Sequence, residues 1–449
     1  MNQMELFIEQ IESVACQPIP EHVIHRTKLA LLDYIGVTFA GVKEQEKQVD
    51  RLLDSFCEAN GKIYSVGVST PMSMNNAVFL NGLNGHALDF DDGTNAGIIH
   101  LGAPIFAVLL ALAQRYHISA NEFLRAAVIG YETSFTMARS IQPTHKQRGY
   151  HATGTCGLLG IAMAASIVLG LDADMKKQAM STAAVSATGT LKVLEDGSQL
   201  KPYNVGKTAL LGLTAVQMAK AGFIGPDDAF SGMAGFFSQM YGSEDVILVP
   251  CLLDGTYAME KAYIKPYAAC RYTHPSIDIA LEMRRNGIVS VDEIDSVEIK
   301  TYSLAVKKHD HTDIPGSASA KMSIPYNFAA TYLTGKTGME AFTEDVLMDA
   351  DVRTLTKKVS VYEDDAMTAA FPKETIATVE LKLKNGQVVV GRSGLPKGEP
   401  ENPLSDEEAI GKFTALALYG GKTEEEANEI VKAVMNLENN LSGLLGLLK

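Results

Sequence analysis

The chain has 449 residues, 46% of them hydrophobic and 20% charged, with 39 Lys plus Arg against 53 Asp plus Glu, giving a formal charge of −14. At roughly 150 residues per domain, this length predicts two or three domains with ample material for a packed core. The acidic balance opposes nucleic-acid phosphates and anionic membrane surfaces, so neither is expected as a partner, and an anionic small molecule would need a local basic pocket. Cys16, Cys57, Cys156, Cys251 and Cys270 lie far apart with no C-x-x-C pair. That spacing argues against a disulfide framework or zinc knuckle, and for reduced thiols in a cytoplasmic protein.

The first twenty residues place acidic side chains inside an apolar pattern, which predicts an amphipathic helix and not a signal peptide. In 27–41, Leu31, Ile35 and Phe39 recur four apart, as one buried helix face would. The longest apolar runs, such as 103–113, fall short of the ~18 residues of a membrane span. Ser119 with Glu122 fits a capping box before another helix. Small residues crowd 151–166 and 180–189, where Ala and Gly would let neighbouring helices approach closely at the centre of a bundle.

After Lys265 the texture changes. Val297, Ile299 and Thr301 alternate with Ser296, Glu298 and Lys300, the period-two pattern of a half-buried strand. In 377–392 a second alternation runs into Asn385-Gly386, which predicts a hairpin with a two-residue turn. Residues 394–403 read as a linker, and Ser405 with Glu408, then Thr423 with Glu426, cap two final helices. The expected fold class is mainly α: a large discontinuous helical domain (1–264 with 401–449) and a smaller α+β domain (265–400).

Four segments could carry chemistry. Asp89, Asp91 and Asp92 sit between His86 and His100. Asp and His suit a divalent ion, but the spacing matches no established loop, and capping around a tight turn is the commoner reading, so no metal is expected. His151 precedes a Gly- and Thr-rich helix start, where free N–H groups favour an anion, although a lone histidine there is more often a cap or core residue. Lys201 precedes Pro and is otherwise an ordinary surface lysine. Lys265, Arg271 and His274 fall within ten positions at the domain boundary, where ligand clefts tend to form. Together these groups would make a cationic pocket in an acidic protein, suited to a substrate with several carboxylates. Histidine also exchanges protons near neutrality.

In order and spacing, LLDYIGVTFAG (31–41), HALDFDDGT, GYHATGTCGLLG, LKPYNVGKTA, KPYAACRYTHPSID and SIPYNFAA (323–330) resemble the MmgE/PrpD family of 2-methylcitrate dehydratases, cis-aconitate decarboxylases and iminodisuccinate epimerases. The resemblance implies a helical domain with an α+β lid, a homodimer, an active site between the domains, and catalysis of a small polycarboxylate without a cofactor. Carried over residue by residue, it implies Asp89, His100, His151, Lys201 and His274 as catalytic residues. Thr94, Lys265, Arg271, Tyr272 and Tyr326 are the expected substrate contacts. The chain departs from the family pattern at His100-Leu101-Gly102, where His-Pro is common, at Gly93, which lengthens the segment, and at Asn204, where many members carry histidine.

Overall fold

The computed structural model describes residues 1–56, 61–194 and 198–449, so Cys57 and Gly197 lie outside the described residues. The chain is mainly helical, with a small mixed sheet in its C-terminal region. It divides into two compact units, Met1–Ile264 with Ser405–Lys449, and Lys265–Leu404.

The first unit is a helical bundle. Its labelled elements are α1 (Gln3–Ala15), α2 (Glu21–Glu44), α3 (Met74–Gly85), α4 (Gly102–Arg115), α5 (Ala120–Ile141), α6 (Ala152–Val168), α7 (Ala173–Val185) and α8 (Lys201–Lys220). The apolar spacing in α2 predicts one buried face, but every residue from Thr27 to Gly41 is buried. A helix covered on all sides lies inside the bundle, so its small and polar residues are enclosed along with Leu31, Ile35 and Phe39. The small residues of α6 act as the sequence suggests. A Cβ on Gly160 would lie 1.9 Å from Ser134 Oγ and 2.5 Å from the Gly130 carbonyl, so α5 and α6 touch almost backbone to backbone. Fully buried side chains such as Leu109, Phe123 and Leu158 each contribute about 1.5–3 kcal/mol of transfer free energy to this core.

Reciprocal capping boxes at Ser119/Glu122, Ser405/Glu408 and Thr423/Glu426 start the helices that the sequence marks. The C-terminal helices return to the first unit, where helix Asp406–Tyr419 packs against α2. No helix among the described residues is long and apolar enough to cross a membrane.

The second unit holds strands β1 (Ile294–Thr301), β2 (Val359–Glu363), β3 (Ala377–Leu383) and β4 (Val388–Ser393) in the order β2-β1-β3-β4. β1 pairs parallel with β2 and antiparallel with β3, and β3 pairs antiparallel with β4. Val297, Ile299, Val379 and Leu381 point into a second core with Ile279, Met283 and Phe328. The β3–β4 turn is longer than the Asn-Gly dipeptide predicts. Gly386 N–H donates to the Leu383 carbonyl and Leu383 N–H to Gln387, leaving three loop residues with Gly386 at φ +90°. Glycine takes the left-handed position that closes a three-residue hairpin, so Asn385-Gly386 is part of the turn and not the whole of it.

Candidate active site

The loop between α3 and α4 carries His86, Asp89, Asp91, Asp92, Thr94 and His100. Its backbone is unusual: Asp89 has φ +52° and Ile98 has φ +47°. A left-handed conformation costs a non-glycine residue about 1–3 kcal/mol, so the surrounding contacts must hold this loop in place. Several do. Thr94 pairs with Ile99 and Gly93 with Tyr263 in isolated bridges, and Thr94 Oγ1 accepts the Gly97 N–H at 3.2 Å. From helix Asp406–Tyr419, Lys412 Nζ lies 2.5 Å from Asp33 Oδ1, donates to the Phe90 carbonyl at 2.8 Å and sits 3.9 Å over the Phe90 ring. Phe90 stands between Asp89 and Asp91, so the returning C-terminus anchors the carboxylate segment.

The ring proton positions follow from the partners. His86 Nδ1 is 2.9 Å from both oxygens of Asp91, and His100 Nδ1 is 2.9 Å from the Asp92 carbonyl and 3.2 Å from Asp91 Oδ2. Burial alone would raise the Asp91 carboxyl, but the charges and hydrogen bonds of His100 and His86 outweigh it and hold Asp91 well below the usual carboxylate range. An ionised carboxylate and a carbonyl can only accept, so both imidazoles carry their proton on Nδ1. For His100 this leaves Nε2 as the proton-handling atom, 3.6 Å from Asp89 Oδ1.

His151 occupies the N-cap position of α6, and its ring centroid lies 5.7 Å from that of His86 and 6.4 Å from that of His100. Burial, then the charges of His86, Lys201 and His100, hold His151 well below the usual imidazole range. Burial likewise takes His86 down to about 4. Both are therefore neutral near pH 7. His86 Nε2 and His151 Nδ1 are buried without a hydrogen-bond partner among the described residues. An unsatisfied buried polar atom costs about 1–3 kcal/mol, and such costs gather at functional sites. Lys201, the first residue of α8, places Nζ 2.6 Å from Asp89 Oδ1. Its side chain is mostly covered and ends on Asp89, not in open solvent. In the first unit the fold thus brings Asp89, Thr94, His100, His151 and Lys201 into one loop-and-helix-end neighbourhood.

Behind this cluster, Asp92 accepts from Tyr131 Oη at 2.6 Å and from the Gly102 N–H at 2.8 Å. Burial pushes its carboxyl up to about 7, only partly offset by those two bonds. An unfolded aspartate ionises near ~3.9, so between about pH 4 and 7 the folded chain holds the extra proton at Asp92. The contribution is present at low pH and is lost as pH rises through that window, by up to about 1.4 kcal/mol per pH unit. Urea unfolding of the wild type and Asp92→Asn at several pH values should show their stability difference moving in the variant's favour as pH rises. A constant difference would contradict this reading.

His86, Asp89, Asp91 and His100 offer ligand atoms within 4.8 Å of one another. A divalent ion there would have to displace the Lys201 ammonium from Asp89 and two imidazole N–H donors from Asp91. The donor set is internally matched and fits such an ion poorly.

The other candidates belong to the second unit. His274, fully buried at the start of helix His274–Asn286, has Nδ1 2.8 Å from Arg271 Nη1 and Nε2 3.2 Å from the Ala269 carbonyl. Arg271 Nη2 lies 2.5 Å from Glu399 Oε1, and both side chains are buried. Residues 394–403 therefore do not behave as a loose linker: Glu399 is pinned by Arg271, and Lys397 N–H donates to Asp278 at 2.9 Å. Lys265 is buried. The Tyr272 ring stands edge-on to Tyr302 and His309. Tyr326 is buried and donates its hydroxyl to the Ala341 carbonyl at 2.6 Å, so the hydroxyl already serves the local fold. Cys156 and Cys270 are buried and in no disulfide, and burial pushes Cys156 up to about 12, far from the reactive thiolate.

A helical unit with three clustered imidazoles, a lysine and a strained carboxylate loop, followed by a small α+β unit, gathers side chains of the kinds that exchange protons. The chain belongs to the MmgE/PrpD family, a family of enzymes: the MmgE/PrpD N-terminal domain matches residues 6–248 and the MmgE/PrpD C-terminal domain matches residues 267–437. The second match runs past Leu404 into helices that pack in the first unit. The chain is similar to cis-aconitate decarboxylase of Homo sapiens, 26% identical over 97% of this chain and 92% of that protein. It is equally similar to cis-aconitate decarboxylase of Mus musculus, 26% identical over 97% of this chain and 91% of that protein.

Proposed function

We propose that the chain is a cofactor-independent lyase that acts on a small di- or tricarboxylate through histidine-mediated proton transfer next to a carboxylate, as a 2-methylcitrate-type dehydratase or a cis-aconitate-type decarboxylase. One observation carries the reading: His100 is held by Asp91 and the Asp92 carbonyl as the Nδ1–H tautomer, leaving Nε2 for the reaction, within a cluster that also holds neutral His151 and Lys201. Full-length likeness to proteins named as decarboxylases supports the second of the two reactions.

In a dehydration, His151 takes the proton from the carbon beside a carboxylate, and that C–H pair becomes the new double bond. The hydroxyl leaves from the neighbouring carbon as water, with a proton delivered through His100 Nε2. In a decarboxylation, CO₂ departs with its C–C bond pair left on carbon, and a histidine returns a proton to that carbon. Both routes pass through a carbanion-like charge, which Lys201 would stabilise. Asp91 balances the positive charge His100 carries while protonated and fixes its ring, as a carboxylate behind a catalytic imidazole does. Asp89 would hold Lys201 in position. From the second unit, His274, Lys265, Arg271, Tyr272 and Tyr326 enter this proposal by family resemblance. An epimerase of an imino- or amino-dicarboxylate would use the same proton transfer without a leaving group. Homodimer formation, also carried by resemblance, would appear in sedimentation as twice the 48.3 kDa chain mass.

The test is turnover of 2-methylcitrate, citrate, cis-aconitate and iminodisuccinate by the purified protein in EDTA, reading olefin absorbance and released CO₂. The expected result is loss of water or CO₂ from one tricarboxylate, at a rate that EDTA does not change. Absence of both reactions across the panel, or activity that vanishes with EDTA and returns with a divalent ion, would overturn the proposal.

A further inference from the structure

We propose that Glu399 is a positioning residue which, acting through Arg271, keeps a donor against Nδ1 of His274, so that His274 stays the Nε2–H tautomer and does not act as a base. The tautomer stands on geometry alone, and the word base rests on the function proposed above.

A guanidinium carries donors only and stays protonated in proteins. With Arg271 Nη1 2.8 Å from His274 Nδ1, the Nδ1 lone pair must accept, and the one ring proton of the neutral imidazole sits on Nε2. The second contact agrees, because Nε2 lies 3.2 Å from the Ala269 carbonyl, which can only accept. Taking a second proton at Nδ1 would set N–H against N–H beside a buried cation, so Arg271 would first have to leave.

What keeps Arg271 there is Glu399. Its Oε1 is 2.5 Å from Arg271 Nη2 and accepts from Thr375 Oγ1 at 3.2 Å, while Arg271 Nη1 also donates to the Lys397 carbonyl at 3.2 Å. Glu399 is 2% and Arg271 5% exposed, so the pair is shielded from water and each charge requires the other. A second staple holds the same segment: Asp278 accepts from Lys397 N–H and from the Tyr267 hydroxyl, and the Tyr267 ring centroid is 5.0 Å from that of His274. Residues 394–403 thus supply the contacts that hold Arg271 against His274. Proton exchange at carbon then falls to His151 and His100, although the family resemblance carries His274 as a catalytic residue too.

The test uses full-length protein labelled with ¹⁵N in its ten histidines, with long-range ¹H–¹⁵N correlation and His274 assigned by the signal lost in His274→Gln. Wild type should show a protonated Nε2 and a bare Nδ1. Arg271→Met with Glu399→Ala removes both charges together and avoids a lone buried ion. In that protein Nδ1 no longer faces a guanidinium, while the Ala269 carbonyl still accepts from Nε2, so His274 should take a second proton at Nδ1 as pH is lowered, where wild type keeps a bare Nδ1. An Nδ1–H or doubly protonated His274 in wild type would overturn the proposal, as would a double variant whose Nδ1 stays bare over the same pH range. Wild type inactive on every polycarboxylate would instead count against the lyase reading and leave the tautomer result standing.

Discussion

Replacing His151 with glutamine is expected to lower kcat by about 10³-fold, within the range that a positioned proton-transfer group supplies. Glutamine approximates the volume of histidine at the N-cap of α6 but cannot take a proton from carbon. The His151 ring is neutral chiefly because burial opposes its protonation, so near pH 7 it is already in the form a base requires. His100→Asn makes the matching case. The asparagine amide can still donate to Asp91 or the Asp92 carbonyl, as His100 Nδ1 does, while nothing replaces Nε2. A comparable loss in that variant would separate proton handling from mere packing. If the two groups act in one sequence, the double variant should lose little beyond the worse single one. Steady-state kinetics with circular dichroism to verify folding would check this, and near-wild-type rates in both single variants would defeat the assigned roles.

Lys412→Met is expected to produce the largest loss of stability, about 3–5 kcal/mol, because it removes one partner of a buried ion pair, the ammonium that Asp33 meets at 2.5 Å inside the bundle. The two side chains are 7% and 4% exposed, so water offers little relief. The same ammonium holds the Phe90 carbonyl and covers its ring, so the strained loop carrying Asp89 and Asp91 loosens with it. The double variant Lys412→Met, Asp33→Leu should recover much of the stability, since an apolar pair of similar volume can replace a buried ion pair. It should not recover full activity, because the Phe90 carbonyl still lacks its donor. Urea unfolding followed by circular dichroism measures the first effect. A single variant within about 1 kcal/mol of wild type would show that Lys412 does not anchor this loop.

Local patterns in the chain are legible wherever the cause is local. Ser119 and Glu122 announce a helix because the cap and its reciprocal partner lie three residues apart, and β1 announces itself by alternation. The length of the β3–β4 turn is less legible, because Asn385-Gly386 fits two loop types and the pairing of Leu383 with Gln387 decides between them. At the candidate site the residue types could be read but their partners could not. Lys201 and Asp89 are 112 positions apart, and without the family resemblance nothing near Lys201 distinguishes it from a surface lysine. His86 and Asp91 are five apart, but the spacing does not reveal the pair, because capping around a tight turn reads equally well from the same residues. Tyr131, Lys412, Asp33 and Glu399 carry no local signature at all. Each gains its role by meeting a distant charge or hydroxyl, which only the folded backbone brings about.

Proton NMR in D₂O most directly tests whether this cluster exchanges protons at carbon beside a carboxylate. Wild type, His151→Gln and His100→Asn would each be incubated with 2-methylcitrate, citrate, cis-aconitate and iminodisuccinate in EDTA. The account predicts new olefinic signals or loss of a carboxylate from one tricarboxylate in wild type, with deuterium at the reacting carbon of any product that gains a proton there, and neither change in the variants. Deuterium entering a substrate C–H without cleavage would favour the epimerase and contradict the lyase. Spectra unchanged for every substrate, or unaltered by either substitution, would contradict proton transfer at this cluster.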